Sequence, residues 1–300
     1  MWRLRAFRAY RSAYGGSMLF VCILASTALW CGCARPMRAS VVASVVQDVA
    51  AASSKQANLD IVRQGTPAYL MLVDGLINAY PNDPRLLISG SRAYASYAST
   101  FSRSSDQSKK LYDKAKDYAL RALARHEKYR SCQDLPVKDF KACVKSFTKK
   151  DVPTIFWAAS CWGSWISLNL DSVKALSQLP KVRILMERVL ELDETFYYGG
   201  PHLFLGIYEA TRPGGHLEKA KFHFKNALDI NRGNFLMAYV YYAEYCAKRS
   251  GNKAGFLSAL ERVLETPADI VPELTLLNTV AKEKAREMLD HQEDYFFEER

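Results

Sequence analysis

Tyr197-Tyr198-Gly199-Gly200-Pro201-His202-Leu203-Phe204-Leu205-Gly206, then Arg212-Pro213-Gly214-Gly215-His216, then Ala220-Lys221-Phe222-His223-Phe224-Lys225-Asn226-Ala227-Leu228, is the stretch on which the fold turns. It reads as one helix, a glycine turn and a second helix. Gly206 removes a side chain where the second helix must approach, and Ala220, Phe224 and Ala227 repeat at helical spacing to fill that contact. A single helical hairpin cannot bury its own apolar face, so others must stack beside it.

The spacing is close to that of a tetratricopeptide (TPR) unit, with Leu205-Gly206 on the first helix and the Ala-x3-Phe contact on the second. The rest of the chain repeats the pattern less regularly. A helix is predicted from about residue 40, where Val41, Val42, Val45, Val46 and Val49 share a face, and another opens at Pro67. The segment Arg85 to Phe101 pairs with Ser105 to His126, and Pro153 to Leu170 pairs with Pro180 to Leu192. Phe235 to Lys248 pairs with Lys253 to Leu264 across Ser250-Gly251-Asn252, and Pro272 starts a last helix with one charged face. No segment alternates with the period of a strand. The expected fold is all-α, a TPR-like helical-hairpin solenoid with a C-terminal capping helix.

The chain carries a formal charge of +10, but Arg3, Arg5, Arg8 and Arg11 lie in a leader without Asp or Glu. From residue 33 onward 37 basic side chains face 31 acidic ones, leaving +6. No basic run with interleaved aromatics marks a nucleic-acid groove. The apolar run Met18 to Trp30 is shorter than the roughly 20 residues that span a bilayer, and its flanks read as a secretory signal. Gly32-Cys33 resembles a lipobox, which makes 1–32 a signal peptide, Cys33 the lipidated residue with Cys31 as the alternative, and 33–39 a tether. Residues 40–300 then form a single helical domain. An ordinary cleaved signal or an uncleaved anchor are the other readings of the leader.

Export permits disulfides. Cys132 and Cys143 flank a short polar insert, in which Pro136 is expected to break any helix, and are the natural pair; two unpaired thiols are the alternative. Cys161 and Cys246 fall in apolar helical stretches.

Enzyme signatures are missing: there is no His-Glu-x-x-His, Gly-x-Ser-x-Gly, phosphate loop or Gly-x-Gly-x-x-Gly. The five histidines are scattered, and His216 and His223 do not share a helix face, so no metal site and no cofactor are expected. Binding remains. His202 stands where a TPR helix usually carries Trp, and Tyr94, Trp162, Trp165, Tyr198, Tyr208, Tyr241 and Tyr242 supply aromatics for an apolar groove with a polar rim. With Arg212 and His216 in the lengthened turn, these form the candidate ligand passage or docking edge; packing in the core is the plainer reading of each.

Several motifs agree in order and spacing with one family. They include Pro67-Ala-Tyr-Leu with Asp74-Gly75-Leu76, Tyr94-Ala-Ser-Tyr97-Ala with Phe101, and Phe156-Trp157-Ala-Ala with Trp162-Gly163. Met186-Glu-Arg-Val-Leu-Glu-Leu-Asp193, the stretch quoted first, Tyr242-Ala-Glu-Tyr-Cys-Ala247 and Tyr295-Phe296 continue the series. Over nearly the whole exported chain this is similar to the T component associated with TRAP (tripartite ATP-independent periplasmic) transporters. The resemblance implies a non-enzymatic periplasmic lipoprotein, anchored to a bacterial membrane by its lipid. It also implies a homotrimer that docks the substrate-binding P component, with a passage in each protomer for an apolar or amphipathic small molecule. A scaffold lipoprotein in envelope assembly, with protein partners only, is the alternative.

Overall fold

The computed structural model describes residues 41–296, except Arg103 and the side chain of Lys128. The signal peptide, Cys31, Cys33 and the tether lie outside the described residues. From Val46 onward the chain is one compact unit. Among the described residues there is no strand.

Residues 41–54 are helical (α1). Helix α2 (Leu59–Ala79) begins eight residues before the predicted start at Pro67. Asn58 accounts for the difference: its side chain accepts from the backbone N–H groups of Asp60 (3.0 Å) and Ile61 (3.2 Å), a strong N-cap. Pro67 is left inside the helix, where it deprives the Arg63 carbonyl of its usual donor. Helix α3 (Pro84–Phe101) follows a tight turn capped by Asp83. Helix α4 (Ser105–Leu123) packs on α3.

Asp74 joins these three helices. It accepts hydrogen bonds from Tyr94 and Tyr118, each at 2.8 Å, and pairs with Lys114. Burial alone raises the Asp74 carboxyl, but the bonds from Lys114, Tyr118 and Tyr94 outweigh it and hold the group below its ordinary range.

The polar insert departs from expectation. One short helix, α5 (Glu127–Arg130), precedes it and another, α6 (Val137–Val144), forms largely within it, with Pro136 at the N-cap of α6 rather than ending helical structure. Buried Phe140 and Val144 give α6 a reason to fold. Cys132 and Cys143 are joined as a disulfide with Cα atoms 6.3 Å apart. Arg188 donates to the Lys145 and Phe147 carbonyls at 3.0 and 2.7 Å, tying the insert to the next hairpin.

That hairpin comprises α7 (Val152–Ser167) and α9 (Leu179–Leu192), with a single turn, α8 (Val173–Leu176), between them. Helices α10 (Phe196–Thr211) and α11 (Leu217–Asn231) form the hairpin quoted first. Their close contact is where the sequence puts it: a Cβ on Gly206 would lie 3.2 Å from the buried Phe224 ring, and Ala220 and Ala227 are fully buried beside it. Helix α12 (Met237–Tyr242) continues as a π turn, Ala243–Ala247, before α13 (Lys253–Glu265) and α14 (Thr275–Asp290).

Packing runs largely in chain order: α2 on α3, α3 on α4, α4 on α7, α7 on α9, and onward to α14. Buried Asn278 locks α14 in place. Its Oδ1 accepts from the Leu236 N–H at 3.0 Å, and its Nδ2 donates to the carbonyls of Asn234 and Ala268. Helix α14 does more than cap the end. It also touches α2, and Leu59 and Phe101 share one apolar core with Phe224, Phe256 and Ala281, so the last hairpin meets the first. Lys55 and Glu273 form an ion pair across the same junction at 3.3 Å.

The disulfide closes a short loop, a constraint worth roughly 3 kcal/mol in the chain-entropy account. Replacing Cys132 and Cys143 together with Ser is expected to lower the unfolding free energy by about that amount in denaturant titrations, while the helical circular dichroism of the folded state is retained.

Candidate functional site

The α10 hairpin contains a backbone feature that helical periodicity does not reveal. Tyr197 (φ 50°), Tyr198 (φ 61°) and Gly199 (φ 80°) lie in the left-handed region, so the right-handed course of α10 starts only after them. This corrects the reading of Tyr197 to Gly206 as one helix. Left-handed backbone at a bulky side chain costs roughly 1–3 kcal/mol per residue and concentrates at functional sites.

Neighbours hold the turn. A Cβ on Gly199 would stand 3.1 Å from the Ala227 Cα, and one on Gly200 would stand 2.7 Å from the Phe156 ring. Reversing the chain so tightly aims two phenols in chosen directions. The Tyr197 ring packs edge-on against Trp157 at 4.9 Å between centroids and near Phe156 at 5.7 Å. Tyr198 packs on Phe235 at 5.7 Å. Both line a cleft of about 530 Å³ with Thr195, Ile230 and Asn231.

Tyr197 also belongs to a deeper group. The Tyr241 phenol from α12 lies near enough to Tyr197, to Tyr112 from α4 and to Tyr245 from the π turn to interact electrostatically with each, and Tyr245 does so with Tyr112. Burial pushes all of them up, Tyr245 to about 12, so they stay protonated at neutral pH. None of the four is fully enclosed, however. Glu244 in the π turn is pushed up by burial as well, against the pull of Lys284 and Lys248. Near Tyr197 the Arg92 guanidinium stacks over Trp157 at 4.8 Å.

The predicted residues divide between this region and the scaffold. Tyr198 lines the cleft and Tyr241 belongs to the inner group. His202 is buried, its Nδ1 3.0 Å from the Nδ1 of His223 and its Nε2 3.4 Å from Glu194. Tyr94 serves the Asp74 network. Trp162 is buried and donates to Gln178 at 2.7 Å, whereas Trp165 donates to Asp113 beneath the Lys116 ammonium. Arg212 pairs with Glu209 at 2.9 Å and lies 5.6 Å from the Tyr208 ring. His216 is exposed at the start of α11. Tyr242 packs on Phe224 and borders a second open cleft, of about 640 Å³, with Lys221 and Phe222. Tyr112, Tyr197 and Asn231 escaped the sequence reading, because nothing in their local spacing separates a lining residue from a core one.

Residues 55–296 match the family described as TRAP transporter T-component. The chain belongs to this family. A curated relative, an uncharacterized protein of Treponema pallidum (strain Nichols), is 23% identical over 270 residues and is covered, like this chain, to 82% of its length. Membership makes this T-component an accessory of a transporter. No described helix is long and apolar enough to cross a membrane.

Two outcomes are expected. Gly199→Ala should cost about 1–3 kcal/mol in unfolding free energy, because it combines a left-handed φ with a backbone contact that cannot yield. The second concerns His223, whose imidazole is held down to about 4, from an ordinary 6.5, by burial and then by His202. The unfolded chain therefore binds a proton that the folded chain refuses. The contribution of neutral His223 to stability is complete above pH 6.5 and declines as pH falls toward 4. Thermal unfolding followed across that window should show a falling Tm, and His223→Gln should flatten the decline.

Proposed function

We propose that this T-component is a non-enzymatic periplasmic lipoprotein, lipidated at Cys33, that docks the substrate-binding P component of its TRAP transporter as a homotrimer. An apolar or amphipathic small molecule moves between the two through the tyrosine-bordered interior of each protomer. One observation supports the ligand part of this reading: Tyr112, Tyr197 and Tyr245 gather near Tyr241 from separate elements, and each ring keeps some accessible surface. Aromatic walls with a few polar groups are the usual make-up of a small-molecule site.

Transfer without a nucleotide site depends on differential affinity. The carrier must hold the ligand less tightly once the partner is docked than before. The left-handed turn joins the outer cleft to the inner phenols through Tyr197, which makes it the natural element for such a change.

Native-level purification of the full chain from its host is expected to bring down one periplasmic substrate-binding protein, and mass spectrometry of the complex to find a retained small molecule. Loss of that molecule in Tyr241→Trp, with the partner still bound, would place it in the interior. Absence of any substrate-binding protein would sink the docking proposal, and a partner bound without any small molecule would favour the scaffold reading.

A further inference from the structure

Arg92 on α3 carries a charge that the fold does not neutralise. Among the described residues no carboxylate lies within ion-pair distance of it, and none accepts a hydrogen bond from its side chain. What holds the guanidinium is an aromatic ring: its Cζ lies 4.8 Å from the centre of the Trp157 ring of α7. An arginine over a ring face keeps its in-plane fork of N–H donors available. Arg92 is also exposed, so a ligand has access to that fork.

An exposed arginine usually faces water, whereas this one is set among rings from three other elements. Trp157 meets Tyr197 edge-on at 4.9 Å between centroids. The phenols of Tyr197, from the left-handed turn, and Tyr69, from α2, both lie within electrostatic reach of Arg92, and among the described residues no carboxylate acts on either. Burial outweighs the Arg92 charge and raises both phenols, so they stay neutral and do not supply the missing negative charge.

The same side of α3 leads to the inner phenols. Ser99 stands seven residues beyond Arg92, two turns along one face and roughly 10 Å away by helical rise, and it interacts with the Tyr112 phenol. Ser96 is exposed between them. A guanidinium matches an oxyanion through paired N–H donors, and one cation balances one negative charge. A dianion would keep an unpaired charge beside neutral rings, and a cationic head would be repelled.

We propose that Arg92 anchors the head of an amphipathic ligand, a singly charged oxyanion whose apolar body lies against Trp157 and Tyr197. The inference rests on the ligand-carrying reading above; it names the charge of the ligand's head and the residue that selects it.

The test uses the full chain in nanodiscs of zwitterionic lipid, titrated calorimetrically, with empty nanodiscs subtracting partition into lipid. Five probes share a phenyl body: 4-phenylbutyrate, 4-phenylbutane-1-sulfonate, 4-phenylbutanamide, 4-phenylbutylamine and the dianion benzylmalonate. At least one monoanion should bind about tenfold or more tightly than the amide, the amine and the dianion, and the tighter monoanion names the head. Arg92→Gln should bring it down to the affinity of the amide. Ser96→Asp keeps Arg92 but offers it an internal carboxylate one turn away; it should weaken the monoanion by a similar factor and leave the amide unchanged. Both positions are exposed, and helical circular dichroism should be retained in both variants. Equal affinity for monoanions and amide overturns the Arg92 site, as does a tighter dianion or an anion preference that survives either substitution, and each leaves the carrier reading intact. If no probe binds, a small molecule retained by the native protein confines the failure to the Arg92 site, whereas a protein that retains none overturns both readings.

Discussion

Three consecutive residues in left-handed backbone, Tyr197 to Gly199, are the constraint on which the rest of this T-component depends. Two of them carry rings for which that conformation is unfavourable. The turn survives because packing leaves no alternative: Gly199 lies against the α11 backbone, Gly200 lies under Phe156, and Asn231 donates to the Tyr198 carbonyl. Strain in three residues is thereby offset by contacts from α7 and α11. The turn in return sets where α10 begins and therefore how the α9 and α11 helices meet it.

The same turn connects scaffold to site. By reversing direction over so few residues it sends Tyr197 inward to Trp157 and Tyr198 toward Phe235, with a cleft between the turn and the end of α11. Tyr197 then lines the outer cleft and lies within electrostatic reach of Tyr241. A second irregularity, the π turn Ala243–Ala247, places Glu244 and Tyr245 beside those phenols. Departures from regular helix of this kind are frequent at functional positions. The regular hairpins on either side supply a frame stiff enough to hold them.

Much of that frame was legible in the residues. The apolar spacing on each helix, the Gly206 and Phe224 contact and the short connections predict antiparallel hairpins in sequence order, and the helices pack in that order. Boundaries were less legible where two signals compete. Pro67 reads as a helix start, but Asn58 caps the chain earlier and cooperative propagation carries the helix through the proline. Pro136 reads as a breaker, but burial of Phe140 and Val144 makes a helix worthwhile just after it. Of the ten residues singled out for a passage, Tyr198 and Tyr241 reach the cleft or the inner phenols, whereas Trp162, Tyr94 and His202 find protein partners.

Local patterning was enough for the helical class, the hairpin order and the family, because each depends on interactions a few residues apart along the chain. The meeting of α14 with α2 and the gathering of Tyr112, Tyr197 and Tyr245 near Tyr241 depend on groups far apart in sequence. Periodicity records which face of a helix is apolar, but it is blind to the angle between successive hairpins. That angle, accumulated over the stack, brings α14 back against α2.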